Sequence, residues 1–550
     1  MKKKTVSFMC AAAMLAGLMG NASVAHAAEN FKAVSTTDTV YEGFYNDTSS
    51  LKMTLSARFN SGAMNEDGGS SEIITYNEKY NMAYVVNGTK GVLDCVPISQ
   101  KTSSANTVKE LSGTELNVKE LVESKDDSFT YGDMTSVSVS PNGKMIVVAV
   151  QDDDYSKSGR AIFFTYNKKK ELVYKGMSVT GVQPDMITFV NNSKVLTADE
   201  GEPRKGVNGV DPKGSVSIID ATKVSAKKTQ KAKIAYFDSF DVKREKLIKS
   251  GVIIQKDTMP STDFEPEYIA VSSNGKKAYV ALQEANSIAT LDLRSGKFTK
   301  VSSLGLQNYN ETEIDLLKND EIELANYDVY GIKMPDGISI YEKGGKTYLL
   351  TANEGDSRAD WDGLDNEVES KTSPSGNLKL SEKVVWFNAD MFDGLDAEKN
   401  YVFGGRSFSM YEVTSRGLKL VFDSGSDFES ITAECLPDNF NCSNDKVSLD
   451  NRSGKKGPEA ESVVIGKVKN HTYAFVALER ISGVMVYDIT NPKNVKFTNY
   501  INSRDFSSKI KDDVSPEGLK FVSGNGKTAK LLASCEVSGT VAVYDLKAGK

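Results

Sequence analysis

The chain has 550 residues, 39% of them hydrophobic and 26% charged, so it is long enough to bury a large core and is not a disordered chain. Its 67 Lys and Arg residues stand against 74 Asp and Glu residues, and the net charge of −7 argues against nucleic-acid binding. The sequence has only two histidines, His26 and His471, which argues against serine–histidine triads, multi-histidine zinc sites and haem ligation. We expect no nucleotide, haem or flavin cofactor.

The first 27 residues are predicted to be a signal peptide. Residues 2–4 are lysines, an apolar stretch runs over residues 6–19, and Ala25-His26-Ala27 is a small-x-small cleavage site. No later stretch approaches the roughly 20 apolar residues of a membrane-spanning helix. We therefore expect a secreted protein, located outside the cell, at its surface or in the periplasm, with residues 28–50 as an N-terminal extension.

Residues 51–550 are predicted to form a single all-β domain, a seven-bladed β-propeller. Two weak copies of a strand–turn–strand–strand unit, at 72–95 and 137–152, precede five clearer ones. In the clearer copies a Pro-acid pair opens the first strand and a Glu ends the second. The pairs and closing glutamates are Pro184-Asp185 with Glu200, Pro266-Glu267 with Glu284, Pro335-Asp336 with Glu354, Pro458-Glu459 with Glu479, and Pro516-Glu517 with Glu536. Alternating patterns and Asn-Gly turns indicate hairpins, and seven such meanders are typical of a propeller.

The unequal spacing of the copies predicts three insertions, at about 221–262, 359–400 and 426–457. The first insertion is expected to contain a short helix near residues 243–249. The last copy ends after its third strand, and a spare strand at residues 51–59 precedes the first copy. We expect this N-terminal strand to complete the last blade and close the ring, which removes exposed strand edges. Two independent β domains are the alternative.

Four cysteines follow the signal peptide, an even number in an oxidising compartment: Cys95, Cys435, Cys442 and Cys535. Cys435 and Cys442 bracket only six residues, and the paired C-x₂-C spacing of a zinc site is absent. A disulfide between Cys435 and Cys442 is therefore predicted. A second bond, between Cys95 and Cys535, follows only by elimination and stays open.

Eight short stretches in a fixed order carry a family resemblance that covers about residues 50–547. They are Thr197–Arg204, Thr351–Arg358, Gly404–Ser409, Gly457–Glu461, Leu478–Arg480, Arg504–Phe506, Pro516–Leu519 and Cys535–Gly539. These stretches resemble the choice-of-anchor I family, which consists of secreted or surface propeller-like proteins fixed by varied anchors. Some members carry an alkaline-phosphatase label. We expect this chain to differ from many members in lacking a terminal anchor, and it differs in its cysteines at 435, 442 and 535.

The repeated acids are expected to lie around the central channel of the propeller, where first strands start and second strands end. The starts supply Asp185, Glu267, Asp336, Glu459 and Glu517, and the ends supply Glu200, Glu284, Glu354, Glu479 and Glu536. One interpretation is structural, in which each acid accepts backbone N–H bonds and ties its blade to the next. The other is a binding site.

Some copies add further charged residues to this pattern and are the candidates for a ligand site. The enriched sets are Glu200, Glu202 and Arg204 in one copy, Glu354, Asp356 and Arg358 in a second, and Glu461 with Arg480 in a third. Arginine binds phosphate through a bidentate fork and carboxylates bind hard metals, so such sets suit a divalent cation beside an anion. Salt bridges between blades are the alternative.

A separate acidic loop could bind calcium. It places four carboxylates and a glycine bend within eight residues: Asp360, Asp362, Asp365 and Glu367. The spacing does not match an EF-hand, and a solvated acidic insertion is the alternative. Ligation by oxygen without histidine favours calcium or magnesium over zinc or copper, and calcium tolerates irregular geometry.

Two functional hypotheses follow. The first is an exported binding or scaffold propeller whose central site holds a divalent cation, a small anionic ligand or both, with a surface partner not specified by the sequence. The second is a metal-dependent phosphoester hydrolase, in which a metal-bound water would supply the nucleophile that the sequence lacks. The absence of a protein nucleophile and the repetition of the acids favour the first.

Overall fold

The computed structural model describes residues 31–32, 44–46, 50–101, 107–204, 206, 209–358, 361 and 363–549. The predicted signal peptide at 1–27 and most of the extension at 28–50 lie outside these residues. The described chain is dominated by β-strands, which confirms the all-β class. Among the described residues, none of the helices combines the length and the apolar character needed to traverse a lipid bilayer.

The strands are numbered in chain order. The first half of the chain contains β1 Phe31–Lys32, β2 Phe44–Asn46, β3 Leu51–Asn60, β4 Ile74–Asn77, β5 Met82–Asn87, β6 Val92–Pro97, β7 Lys109–Leu111, β8 Thr114–Asn117, β9 Tyr131–Val139, β10 Met145–Asp152, β11 Ser158–Tyr166, β12 Leu172–Val182, β13 Pro184–Asn191, β14 Lys194–Asp199, β15 Ser215–Asp220, β16 Gln230–Lys231, β17 Lys233–Tyr236, β18 Ile254–Gln255 and β19 Pro266–Val271. The second half contains β20 Lys277–Leu282, β21 Ser287–Asp292, β22 Lys297–Ser303, β23 Leu306–Asn308, β24 Tyr330–Ile332, β25 Ile338–Lys343, β26 Lys346–Asn353, β27 Glu367–Thr372, β28 Lys379–Phe387, β29 Phe392–Asp393, β30 Tyr401–Phe403, β31 Ser407–Val413, β32 Leu418–Asp423, β33 Ala460–Val468, β34 His471–Leu478, β35 Val484–Asp488, β36 Lys496–Ile501, β37 Pro516–Ser523, β38 Thr528–Cys535 and β39 Thr540–Ala548.

The helices are few and short. The α-helices are α1 Val118–Lys125, α2 Arg244–Ile248, α3 Pro260–Asp263 and α4 Asp427–Cys435. Single 3₁₀ turns cover Asp238–Lys243, Ala389–Met391 and Pro437–Asn439.

In the part of the chain that the structure describes, seven of the sheets share one plan, an antiparallel meander of four strands. In strand order they contain β4-β5-β6-β8, β9-β10-β11-β12, β13-β14-β15-β17, β19-β20-β21-β22, β25-β26-β31-β32, β33-β34-β35-β36 and β37-β38-β39-β3. Their first strands contact one another in the order β4, β9, β13, β19, β25, β33, β37, and β37 contacts β4 again. Buried apolar clusters lie between neighbouring sheets, as where Tyr84 and Leu93 pack against Ile146 and Val148.

The hairpin of β19 and β20 shows why these sequences form the meander. Apolar and β-branched residues alternate along both strands, and Ile269 lies opposite Val280. At the turn, the backbone N–H of Gly275 donates to the carbonyl oxygen of Ser272 at 2.8 Å. Gly275 has a φ of +63°, a conformation that glycine adopts without steric cost.

The fourth strand of the last meander comes from the N-terminal part of the chain. β3 pairs antiparallel with β39, from Leu51 opposite Ala548 to Asn60 opposite Thr540. Its inward residues are buried, with Leu51 0% and Leu55 1% exposed, and they join the apolar cluster that contains β39. The spare strand expected at residues 51–59 is therefore β3, and it supplies the hydrogen-bond partner that β39 would otherwise lack.

The predicted insertions carry the irregular elements. The 221–262 segment contains α2 at Arg244–Ile248, within the stretch where a short helix was expected. The 359–400 segment contains the β27–β28 hairpin, which extends a separate five-stranded sheet with β23, β24 and β30. The 426–457 segment contains α4, whose Phe428 and Ile431 are buried.

The disulfide prediction was wrong for this structure. Cys95, Cys435, Cys442 and Cys535 are all free. Cys435 is the last residue of α4, whereas the Sγ of Cys442 accepts from Nη1 of the buried Arg504 at 3.8 Å. The two thiols thus belong to one apolar cluster without bonding, and short sequence spacing alone did not bring their sulfur atoms together.

Candidate functional site

The first strands of four meanders begin in the same register. The opposed residues are Pro184 with Asp199, Pro266 with Leu282, Ala460 with Leu478, and Pro516 with Cys535. The next residue is an acid in each case: Asp185, Glu267, Glu461 and Glu517. Ala460 therefore takes the place of the proline in the sixth copy.

The acid at this position in the sixth copy is Glu461, and the prediction of Glu459 was wrong. Glu459 precedes the strand and has a φ of +51°. Equivalent residues just before the strand in other copies also have positive φ: Gln183, Met334 and Ser515. The Pro458-Glu459 pair imitates the repeated motif in sequence but lies two residues too early, because in this copy alanine replaces the strand-opening proline.

A cavity of about 240 Å³ lies where the first strands meet. Seven residues of these segments line it: Thr135, which lies inside β9, and six acids within two residues of the start of a first strand, Glu72, Asp185, Glu267, Asp336, Glu461 and Glu517. We call the six carboxylates among them the acid ring. Gln283, Glu354 and Asp356, which follow second strands, also border the cavity.

Three carboxylates of the acid ring converge. One oxygen atom each of Asp336, Glu461 and Glu517 lies within 4.8 Å of the other two. Glu461 is 7% exposed, and its Oε2 atom is buried with no hydrogen-bond partner among the described residues. The Oε2 atoms of Glu72 and Glu267 are buried without a partner in the same way. Buried polar atoms are nearly always paired, so these three oxygen atoms mark the cavity as the candidate site.

Burial raises the pKa of every carboxyl in the acid ring, because the charged form loses its hydration. The shift is large for Glu72, Glu267, Asp336, Glu461 and Glu517, and neighbouring carboxylates of the cluster add to it. For Asp185, burial raises the pKa to about 6, and the charge of Arg204 opposes the rise. Within the described chain, no Lys or Arg side chain forms an ion pair with any of the six.

A second group of acids, Glu459 just before β33 and Glu354 and Glu479 just after second strands, contacts protein cations. The carboxylate of Glu459 lies 3.1 Å from Lys456 Nζ and 3.1 Å from Arg480 Nε, and Arg452 also pairs with it. We call these three cations the basic clamp. Burial acts to raise the pKa of Glu459, but the basic clamp outweighs it and holds this pKa well below its usual range.

The basic clamp also reaches the neighbouring acids. Lys456 Nζ lies 3.4 Å from Oε1 of Glu354 and 3.4 Å from Oδ1 of Asp356. Arg480 Nη1 lies 3.0 Å from Oε1 of Glu479. Oxygen atoms of Glu354, Glu459 and Glu479 also lie within 4.8 Å of one another, but protein cations already occupy the surroundings of this trio.

The predicted acid–arginine sets have different environments. Arg204 is exposed, and its Nε lies 3.2 Å from Oε2 of Glu202, while burial and the charge of Glu202 raise the pKa of Glu200 well above its usual range. Arg358 is instead buried and forms no part of an open site. Its guanidinium pairs with Asp263 at 3.1 Å and Glu265 at 3.4 Å.

The other second-strand glutamates, Glu284 and Glu536, interact with members of the acid ring. Burial raises the pKa of Glu284 to about 7, against the effect of Arg358. Burial and the charge of Glu479 raise the pKa of Glu536 to about 8. The charge of Glu284 in turn adds to the raised pKa of Glu267, and that of Glu536 adds to the raised pKa of Glu517.

The predicted calcium loop is only partly described. Asp360 and Asp362 lie outside the described residues, and Asp365 and Glu367 are exposed. The Oε1 atom of Glu367 accepts from the hydroxyl of Ser357 at 2.6 Å. Calcium binding by this loop therefore stays a prediction.

Sequence reasoning missed Glu72 and the basic clamp residues Arg452 and Lys456. Glu72 lacks the preceding proline that marked the other copies, although it stands at the start of the first copy. Arg452 and Lys456 lie in the 426–457 insertion, and only the fold brings them to Glu459. Aligning the repeated copies could have identified Glu72. Nothing in the local sequence indicated that Arg452 and Lys456 lie beside Glu459.

The choice-of-anchor I domain matches residues 72–492. The chain belongs to this family. A mesenchyme-specific cell surface glycoprotein of Strongylocentrotus purpuratus is 27% identical over 331 residues, which are 52% of this chain and 41% of that protein. Gigasin-3a of Magallana gigas is 32% identical over 99 residues, 17% of this chain and 34% of its own. The matched regions thus span less than half of either relative.

Solved structures with a related chain path are distant. Hydrazine synthase of Kuenenia stuttgartiensis has a TM-score of 0.44 and 11% identity, with 88% of this chain and 97% of that one covered. The periplasmic gluconolactonase of Pseudomonas aeruginosa has a TM-score of 0.39 and 10% identity, with 93% and 97% covered. Likeness at this level supports no functional conclusion.

Proposed function

We propose that this chain is an exported, surface-located seven-bladed β-propeller whose acid ring binds a divalent cation, calcium, and that it acts as a binding or scaffold protein. The observation that carries the proposal is the central cavity, which six carboxylates line without a protein cation paired to them. Six negative charges in so small a space must be offset by protons or by a bound cation.

The spacing of the converging trio suits a hard cation. Calcium takes oxygen ligands at about 2.3–2.6 Å, so oxygen atoms on opposite sides of the ion are about 5 Å apart. The oxygen atoms of Asp336, Glu461 and Glu517 already lie within 4.8 Å of one another. Side-chain rotation of the remaining acids could complete a shell of six or more oxygen ligands. Oxygen ligands alone favour calcium or magnesium, and a shell of several carboxylates favours calcium.

A seven-bladed ring explains why these acids meet. The seven meanders are interpreted as blades, and the closed series of contacts from β4 around to β37 is interpreted as the wall of the channel. The β3–β39 pairing would close the ring between the N-terminal strand and the last blade. The first-strand starts then point to one end of the channel, where the cavity lies.

Surface location is supported by family membership and by the predicted signal peptide. The family description refers to a choice of anchor, and one relative is named as a cell surface glycoprotein.

The phosphoester hydrolase hypothesis has no specific observation in its favour. Of the three arginines in the predicted sets, Arg204 is exposed and pairs with Glu202, whereas Arg358 is buried against Asp263 and Glu265, and Arg480 is paired with Glu459 and Glu479. A phosphate at Arg358 or Arg480 would have to displace their carboxylates, and the resulting buried charges would be costly.

Isothermal titration calorimetry on the mature protein tests the proposal. After treatment with chelator and its removal, we expect calcium to bind with one site per chain and magnesium to bind more weakly. Glu461→Gln should weaken calcium binding at least tenfold, because it removes one of the three converging carboxylates. Glu321→Gln is the matched control, since Glu321 is exposed and does not line the cavity.

The contrary result is equally clear. If the wild-type protein shows no binding heat at millimolar calcium, the acid ring is a protonated structural cluster. Calcium binding that is unchanged in Glu461→Gln would place the cation elsewhere, for example in the loop at 360–367.

A further inference from the structure

A second cavity lies at the opposite end of the same first strands. Its volume is about 710 Å³, and we call it the turn-end cavity because turns that follow β4 and β9 border it. The walls come from four neighbouring first strands, β37, β4, β9 and β13. Neither the family match nor the acid ring accounts for this cavity.

Its side walls repeat one structural position. Thr75, Ser138, Thr188 and Lys520 line the cavity, and each stands three residues after the first-strand residue that lines the central cavity. The other three meanders have Ala270, Ser339 and Val464 at this position. Lys520 is therefore the single charged residue among these seven positions, all of which the structure describes. A residue with a purely structural role is expected to recur in several copies, whereas the lysine occurs at this position in one copy.

The ammonium group of Lys520 forms no ion pair with a described residue. Burial lowers its pKa, against a small opposing effect of Glu78. A cation that loses hydration without forming an ion pair is costly to the fold, and a bound anion would offset that cost. The acid ring does not serve as its partner, because Glu517 lies about 10 Å away along the strand at the usual rise per residue.

Three residues with hydroxyl groups line the same cavity as Lys520. The hydroxyls of Thr75 and Thr188 form no hydrogen bond with a described residue, and Ser138 Oγ accepts from the backbone N–H of Phe189 at 3.4 Å. The proton of the Ser138 hydroxyl is thus free to be donated. At this repeated strand position, the cavity therefore has one ammonium group and three hydroxyls as hydrogen-bond donors. None of the seven residues at this position carries a carboxylate.

We propose that the turn-end cavity binds a small oxyanion, a phosphate or a carboxylate group, through the ammonium group of Lys520 and the hydroxyls of Thr75, Ser138 and Thr188. Charge-assisted hydrogen bonds to oxygen acceptors are the strong ones, and three further donors fix the anion's orientation. The cavity is large enough to hold a molecule that carries such a group. This site goes beyond the cation site of the acid ring and does not depend on it.

The charged groups that border the cavity define the expected variants. Glu78 and Lys79 lie in the turn after β4, are exposed, and also border the cavity. Glu78 is the carboxylate that an oxyanion would face, so its removal should strengthen binding. Lys520→Met keeps the length of the side chain and removes its charge, whereas Thr188→Val keeps the shape and removes one donor.

Calorimetry with inorganic phosphate and, separately, with acetate tests the proposal in calcium-free buffer. We expect at least one of the two to bind the mature wild-type protein, with Lys520→Met at least tenfold weaker, Thr188→Val weaker by a smaller factor and Glu78→Gln tighter. Lys169→Met, in an exposed turn, should bind like wild type. Tighter binding of phosphate or of acetate tells which oxyanion chemistry the site prefers.

Two results would overturn the proposal. One is the absence of binding heat for both probes at millimolar concentration. The other is equal binding by wild type and Lys520→Met, or, if that variant does not fold, equal binding by wild type, Thr188→Val and Glu78→Gln. If Glu461→Gln loses calcium binding but still binds phosphate or acetate like wild type, the two sites bind their ligands independently.

Discussion

Arg358 is predicted to be a structural residue, and its removal should destabilise the fold. The side chain is 3% exposed, and it donates to Oδ1 of Asp263 at 3.1 Å and to the carbonyl oxygen of Asp263 at 2.9 Å. It also pairs with Glu265 at 3.4 Å, and its guanidinium lies 4.8 Å from the ring of Trp361. Arg358→Met would leave two buried carboxylates without a cation.

The magnitude follows from the burial of both partners. Asp263 is 2% and Glu265 1% exposed, so neither carboxylate can recover its hydration. Breaking a buried pair on one side costs about 3–5 kcal/mol of unfolding free energy. A surface change such as Arg416→Met, in an exposed turn, should stay within about 0.5 kcal/mol.

Urea denaturation of the mature protein measures this difference. Arg358→Met should lower the midpoint, and Glu265→Gln added to it should restore part of the loss, since one uncompensated charge disappears. A loss below about 1 kcal/mol in Arg358→Met would refute the reasoning. If Arg358→Met lost so little stability and also bound ligand more weakly than wild type, Arg358 would instead be a ligand-contacting residue.

Further predictions concern the N-terminal strand, the pH dependence and the thiols. A chain that starts at residue 61 lacks β3 and should lose cooperative unfolding. A chain that starts at residue 47 keeps β3 and should melt like the mature protein. Equal melting temperatures of the two chains would contradict the role of β3. The pKa values of Glu284, about 7, and Glu354, about 8, lie above the unfolded value of 4.5. The folded state therefore binds the extra protons, and stability in chelator should fall between about pH 5 and 8, by up to about 1.4 kcal/mol per pH unit for each group; a rise of the urea midpoint over this interval would show the reverse sign. Denatured mature protein should react with a thiol reagent at Cys435 and Cys442 without reduction, and a disulfide-linked peptide would contradict the structure.

The sequence permitted prediction of those features that repeat. The Pro-acid pairs at Asp185, Glu267 and Glu517 mark the same backbone position in each copy, and the structure brings them to one cavity. The sixth copy was misaligned because Pro458 precedes the strand by two residues and Ala460 opens it. Repetition thus predicts a position only where the copy keeps its marker residue.

Contacts that occur in only one copy could not be predicted from the repeated sequence pattern. Lys456 belongs to an insertion, and its pairing with Glu354 joins residues 102 positions apart. The loop between Cys435 and Cys442 is short enough to allow a disulfide. However, Cys435 is fixed at the end of α4 and Cys442 contacts Arg504, so the two sulfur atoms do not bond. These outcomes depend on three-dimensional packing that no local spacing encodes.

The most direct test of the cation site is an anomalous difference map from crystals of the mature protein grown with calcium. The proposal predicts a peak among Asp336, Glu461 and Glu517, with oxygen atoms of all three at about 2.3–2.6 Å. Crystals of Glu461→Gln should lack this peak. A map of wild-type crystals with no peak in the acid ring, at calcium concentrations that saturate any binding seen in solution, would contradict the central claim.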